Sequence, residues 1–220
     1  MTPNTGPRRL LVVRHGETEA NTVRRYMGQQ DSPLTPRGER QIEAVARRLA
    51  GHSFAALYAS DLGRAARTAE AIARASGADI RFDERLRERR SGVLEGLIDQ
   101  EARRRYPEVF AQLDALDPDV AIPNGESAAD VRARVASFVA EKTASHPGKT
   151  TLVVAHGGIS RAFLWHLLDL PFRAARWARC DNTSLSSFVW RHGMWLLETW
   201  NDTSHLVCPS ISDPARSDES

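Results

Sequence analysis

Residues 10–18 read Leu10-Leu11-Val12-Val13-Arg14-His15-Gly16-Glu17-Thr18. Four consecutive apolar residues, without alternation and too few for a helix, suit a strand buried on both faces. The run stops at an arginine, a histidine and a glycine. The glycine lets the backbone turn tightly and lets a ligand approach the chain. A histidine there is suited to nucleophilic attack or general base chemistry, and the arginine beside it to holding an anionic oxygen. The competing reading is a surface loop with a charged pair.

Two other stretches repeat this layout. The apolar run at 151–155 ends in His156-Gly157-Gly158. If the two strands are neighbours, two imidazoles meet in one cleft; otherwise His156 caps a helix or sits hydrogen-bonded in the core. A strand at 54–59 leads into Ser60-Asp61-Leu62-Gly63-Arg64. Ser60 or Asp61 would cap a helix running to Ser76, with Gly77 as its stop. Arg64 then falls in the first turn, among backbone N–H groups that already favour an anion. The bland alternative is a solvated helix arginine.

Further elements follow from spacing. Helical periodicity covers 36–49, with Thr35 as N-cap and Pro36 at the first helical position. A short strand is expected at 80–82, two short helices over 97–117 broken at Pro107, and an amphipathic helix over 127–143. A helix at 159–168 and a hairpin, 185–190 with 195–200 joined at His192-Gly193, complete the order. This alternation predicts an α/β fold, a three-layer α/β/α sandwich with a mainly parallel sheet and an antiparallel edge strand. In such sheets ligands bind beyond the carboxyl ends of the strands, where Arg14-His15 and His156 are placed. One domain is expected over 9–207, between flexible tails at 1–8 and 208–220, with 97–124 as a lid.

Composition narrows the classes. The chain has 220 residues, 41% hydrophobic and 26% charged, with a formal net charge of +2. That charge is too small to mark a nucleic-acid binder. Its basic residues are almost all arginine, the lysines being Lys142 and Lys149. Cys180 and Cys208 form no CxxC pair, so neither a disulfide framework nor a zinc cluster is expected. No apolar run is long enough to span a membrane and no signal-peptide core precedes the domain, so the expected location is cytoplasmic.

Taken together, these motifs resemble the histidine phosphatase superfamily, also called phosphoglycerate-mutase-like, over about residues 9–206. The most specific piece is Leu11-Val12-Val13-Arg14-His15-Gly16-Glu17-Thr18-Glu19-Ala20-Asn21. It is followed in order by Arg25-Tyr26-Met27-Gly28, Asp31-Ser32-Pro33-Leu34-Thr35, Ser60-Asp61-Leu62 with Arg64, Leu86-Arg87-Glu88, Gly125-Glu126-Ser127, Val154-Ala155-His156-Gly157-Gly158 and Asn182-Thr183-Ser184. The resemblance implies that His15 is the nucleophile that becomes a phosphohistidine. It implies that Arg14 and Arg64 clamp the phosphate, that His156 also contacts the phosphoryl oxygens, and that Glu88 protonates the leaving group. Asn21, Arg25, Gly28 and Gly157 match positions around the phosphate. No metal and no cofactor are implied, and the partner is a small phosphorylated metabolite, with neither nucleic acid nor membrane.

Within the family, the compact segment 89–124, and Gly158 where mutases tend to carry asparagine, favour a small phosphatase. The alternative is a 2,3-bisphosphoglycerate-dependent phosphoglycerate mutase, for which Arg103-Arg104-Arg105 would hold a second phosphate; those residues equally suit a solvated helix face. A catalytically silent phospho-ligand-binding relative is the reading from another class. Phe110, Leu113 and Leu116 are candidates for an apolar substrate wall or for core. A homodimer through an edge strand or the hairpin is carried as an open alternative.

Overall fold

The apolar run at 10–13 lies in the interior of a six-stranded sheet. The computed structural model describes residues 8–143 and 148–207. The strands are β1 (Arg8–Arg14), β2 (Ala56–Ala59), β3 (Ile80–Phe82), β4 (Thr150–Ala155), β5 (Leu185–Arg191) and β6 (Met194–Asp202). The helices are α1 (Glu19–Thr22), α2 (Pro36–Leu49), α3 (Gly63–Ser76), α4 (Asp99–Arg105), α5 (Pro107–Asp114), α6 (Ala128–Phe138), α7 (Gly157–Leu168) and α8 (Phe172–Arg176). Strand order is β3-β2-β4-β1-β5-β6. Strands β1 to β4 run parallel, β5 is antiparallel to β1, and β6 is antiparallel to β5.

The unbroken hydrophobicity of β1 has a direct cause. Leu10 and Val12 pack on one face with Val131, Phe138, Ile159 and Phe163 of α6 and α7. Leu11 and Val13 pack on the other with Ile42, Val45, Ala69 and Ile72 of α2 and α3. A strand covered by helices on both sides has no polar face to alternate with. A third, smaller core joins Leu94, Ala102, Val109, Phe110 and Ile122 beneath α4 and α5.

Helix α2 begins and ends where its capping signals place it, and Thr35 Oγ1 accepts from Gly38 N at 2.9 Å. The start of α3 differs from expectation. Ser60 is engaged by His156 and Asp61 by Arg87, so neither caps the helix. Leu62 occupies the N-cap position, and the carboxylate of Asp31 takes the free amides of Gly63 and Arg64 at 2.7 and 3.3 Å. The helix expected over 127–143 leaves α-geometry after Phe138 for a π-turn over Val139–Thr143. Helices α1 and α8, of four and five residues, were not expected. Of the anticipated tails, Arg8 instead starts β1, paired with Trp190. The remainder, with Cys208, lies outside the described residues.

Candidate active site

Strand register brings the two histidines together. Arg14 stands opposite Ala155 across the parallel β1–β4 pair, and His15 N donates to Ala155 O at 2.9 Å. Both chains then turn off the sheet, and the rings of His15 and His156 lie with centroids 5.2 Å apart. Both side chains are buried. His15 Nδ1 is 2.7 Å from Gly16 O. A carbonyl can only accept, so Nδ1 carries the proton and Nε2 keeps its lone pair. Burial, and then the charges of Arg14 and Arg64, hold the His15 pKa well below the ordinary histidine value. Burial does the same to His156, reinforced by His15, Arg64 and Arg14.

Cations surround this pair. Arg14 Nη1 donates to Cys180 O at 2.5 Å, while its Nε is buried with no hydrogen-bond partner. Arg64 is anchored by Gln30 O at 2.6 Å, Gly28 O at 2.9 Å and Asp31 Oδ1 at 3.2 Å. Gly28 takes part with a φ of +52°, a conformation glycine adopts without strain. His156 Nε2 meets Ser60 Oγ at 2.8 Å, and its Nδ1 is buried without a partner. A buried donor left unsatisfied costs about 1–3 kcal/mol. Arg14 Nε is such a donor, His156 Nδ1 is one in the tautomer whose Nε2 accepts from Ser60 Oγ, and both beside a free imidazole nitrogen mark a place suited to an anion.

Glu88 closes one side. Its Oε1 accepts from Arg89 N at 2.8 Å and its Oε2 from Gly158 N at 3.1 Å, in the first turn of α7. Opposite, Asn182 Nδ2 donates to His15 O at 3.0 Å and to Asn21 Oδ1 at 3.1 Å. Thr18 N also donates to that oxygen at 3.1 Å, so the Asn21 amide nitrogen is the group left over. Thr183 N reaches the carbonyls of Arg14 and His15 at 3.0 and 3.2 Å, bracing the turn from behind.

A cavity of about 330 Å³ opens at this site. Of the residues singled out from the sequence, Arg14, His15, Asn21, Arg25, Gly28, Arg64 and Glu88 line it directly. His156 stands behind His15, and Gly157 packs behind Arg14: a Cβ there would lie 3.5 Å from Arg14 Nε. Arg25 also ties itself to Gly96 O. Arg103, Arg104 and Arg105 do not line the cavity; Arg103 pairs with Asp99 and Asp114 and lies over Phe110. Phe110 is a core residue of the small α4–α5 cluster, and the partly buried Leu113 packs against it. No residue of 97–124 lines the cavity; the segment backs its wall through Tyr26, whose hydroxyl donates to Asp99 at 2.6 Å. Arg89, Arg161 and Arg176 also line the cavity and carry no separate signal in the sequence, because helical or loop arginines are usually solvated. Among the described residues, no helix is long and apolar enough to cross a membrane, and no group of three His, Cys, Asp or Glu is placed to hold a metal.

The chain is similar in sequence and fold to known proteins. The model of the histidine phosphatase superfamily (branch 1) matches residues 10–203. A protein of Shigella boydii described as a probable phosphoglycerate mutase is 38% identical over 217 residues, covering 94% of this chain and 99% of the relative. Among solved structures, Bacillus stearothermophilus YhfR superposes with a TM-score of 0.83 at 33% identity, covering 90% of this chain and 98% of that one. A mycobacterial glucosyl-3-phosphoglycerate phosphatase does so with 0.76 at 33% identity, covering 89% and 99%. A phosphoserine phosphatase mutant of Entamoeba histolytica gives 0.78 at 28% identity, covering 91% and 100%. By its matched length, its identities and its fold, the chain belongs to the histidine phosphatase superfamily.

Proposed function

We propose that the protein hydrolyses small phosphate monoesters through a phosphohistidine on His15. The observation that carries this reading is the pair of unpartnered buried nitrogens near the His15 ring, the Arg14 Nε donor and His156 Nδ1, together with a free His15 Nε2. Phosphoryl transfer spreads negative charge over three equatorial oxygens, and positioned donors there supply most of the catalysis. Arg14, Arg64, His156 and the Asn21 amide are the donors. His15 Nε2 attacks phosphorus as the ester P–O bond breaks, and Glu88 gives a proton to the departing oxygen. Glu88, now ionised, takes a proton from the water that attacks the phosphohistidine, the P–N bond breaks, and inorganic phosphate leaves. The depressed pKa of His15 keeps the nucleophile unprotonated at neutral and mildly acidic pH.

Purified protein is expected to hydrolyse p-nitrophenyl phosphate at mildly acidic pH, with or without excess chelator. His15→Ala should remove that activity together with the acid-labile phosphoprotein seen after rapid quenching. Glu88→Ala should slow alkyl phosphates far more than p-nitrophenyl phosphate, whose leaving group needs no proton. Equal turnover by wild type and His15→Ala rejects the mechanism.

A mutase reading draws on the description of the Shigella relative and on the arginine-rich cavity. Against it, Arg103–Arg105 stand away from the cavity, and Gly158 leaves no room for a side chain beside Glu88. A panel of phosphorylated metabolites, assayed with and without 2,3-bisphosphoglycerate, separates the two: phosphate release marks the hydrolase and a positional isomer the mutase.

A further inference from the structure

Each residue of Gly125-Glu126-Ser127 makes a contact that suits its type, and the contacts converge on the loop that carries Glu88. A Cβ on Gly125 would stand 2.5 Å from Arg90 O, so a glycine lets the two loops pass this closely. From the other loop Gly92, at a φ of +50°, approaches in return: a Cβ there would stand 2.0 Å from Pro123 O. Ser127 caps α6, its Oγ accepting from Asp130 N at 3.0 Å. Glu126 is buried and forms an ion pair with Arg134 of α6. Its Oε1 accepts from Arg134 Nε at 3.2 Å and its Oε2 from Nη2 at 3.3 Å.

This pair grips the chain on both sides of Glu88. Upstream, Arg134 Nη1 donates to Arg85 O at 2.5 Å. Downstream, Glu126 Oε2 accepts from Arg90 N at 2.8 Å, and Glu126 N donates to Arg90 O at 3.1 Å. Glu126 O accepts from Arg89 Nε at 2.7 Å. The Glu88 carboxylate reaches the other way, to Arg89 N and to Gly158 N in α7. Desolvating a buried ion pair costs about as much as the attraction returns, so such a pair is a weak source of stability. Here it fixes the path of residues 85–90, and with that path the place of one carboxylate.

We propose that Glu126 and Arg134 are positioning residues for Glu88, and that Gly125-Glu126-Ser127 is the device that holds the proton donor over the leaving group. The proposal rests on the phosphatase reading for what Glu88 does, and on the hydrogen bonds alone for where Glu88 is held. Neither Glu126 nor Arg134 lines the cavity, so both act through Glu88. A general acid must stand within hydrogen-bond reach of the departing oxygen. A loosened loop therefore penalises esters whose leaving group needs a proton and spares those whose leaving group does not.

The double variant Glu126→Met/Arg134→Met removes the grip without leaving one charge buried alone, a replacement that folded proteins often tolerate. Melting curves establish that it is folded. Its kcat/KM for benzyl phosphate should fall about tenfold or more relative to that for p-nitrophenyl phosphate, the effect of a misplaced catalytic group. Glu88→Ala should show the same selective loss, and adding the methionine pair to it should change the ratio no further, because residues acting through one group are not additive. An amide resonance reads the placement without turnover. Gly158 N–H donates to Glu88 Oε2, so Glu88→Ala moves its proton resonance upfield, and the methionine pair should move it the same way. Glu126→Gln keeps the packing and weakens the ionic grip; it should shift both readings in the same direction by less, and it carries the test if the methionine pair does not fold. Wild type that turns over neither ester rejects the phosphatase reading, and the Gly158 resonance then decides the placement alone. A folded variant with the wild-type ratio, a selective loss that persists undiminished in the Glu88→Ala background, or a Gly158 resonance that stays in place overturns the proposal.

Discussion

A methyl group on residue 158 would stand 2.3 Å from Glu88 Oε1. The obstructed atom is the far end of a flexible side chain, so the fold can yield by displacing the carboxylate. Gly158→Ala should therefore cost little stability and much activity. We expect kcat/KM for an alkyl phosphate to fall about ten- to a hundredfold, since misplacement by about 1 Å has that effect, with the melting temperature nearly unchanged. Steady-state kinetics beside calorimetry checks both halves. The glycine was legible in the sequence as part of His156-Gly157-Gly158, but its reason was not. That reason is Glu88, which reaches it from a loop 70 residues earlier. In the same way Ser60 read as a helix cap, while spatially it is the partner of the His156 ring. The meeting of His15 and His156 was readable because both end apolar strands, whereas the partners of Ser60 and Gly158 were not, because no pattern at those residues points to the distant chain that meets them.

At the level of elements, α3 illustrates what periodicity misses. Its end at Gly77 and its buried face follow from the sequence. Its start depends on Asp31, which caps the first turn and steadies Arg64 together. Asp31→Ala should remove both. We expect a loss of about 1 kcal/mol, the usual value of a cap, and a several-fold rise in KM for the phosphate ester. Asp31→Asn retains an acceptor oxygen and should recover most of the stability. Denaturant titration and KM measurement distinguish these outcomes. Helices α1 and α8 escaped notice because four or five residues are too short for a helical period to register. The long elements α2, β1 and β4, covered by the core, were legible because burial dictates their pattern.

For the whole molecule, buried neutral histidines couple stability to pH. His15 and His156 have pKa values well below 6.5, and His205, desolvated and facing Arg48, is pushed down to about 4. In the unfolded chain all three titrate near 6.5. Below that pH the unfolded state takes protons that the folded state refuses, so stability is complete above about 6.5 and declines as pH falls. The slope contributed by each of the two fully buried histidines is at most about 1.4 kcal/mol per pH unit. Melting temperatures measured from pH 7.5 to 5 should fall, and His15→Ala should flatten the curve. A melting temperature that stays level over this range would remove the histidines as its cause.

Strand β1 occupies an interior place in the sheet although it is the first of the described strands along the chain. Its two neighbours, β4 and β5, begin at residues 150 and 185. A ribosome must therefore travel on from residue 14 to residue 185 before β1 can be paired on both edges. Until then it is an unpaired, greasy ribbon, a substrate for chaperones or for a neighbouring nascent chain. The turn that carries His15, braced by Asn182 and Thr183 just ahead of β5, is accordingly completed late in biosynthesis.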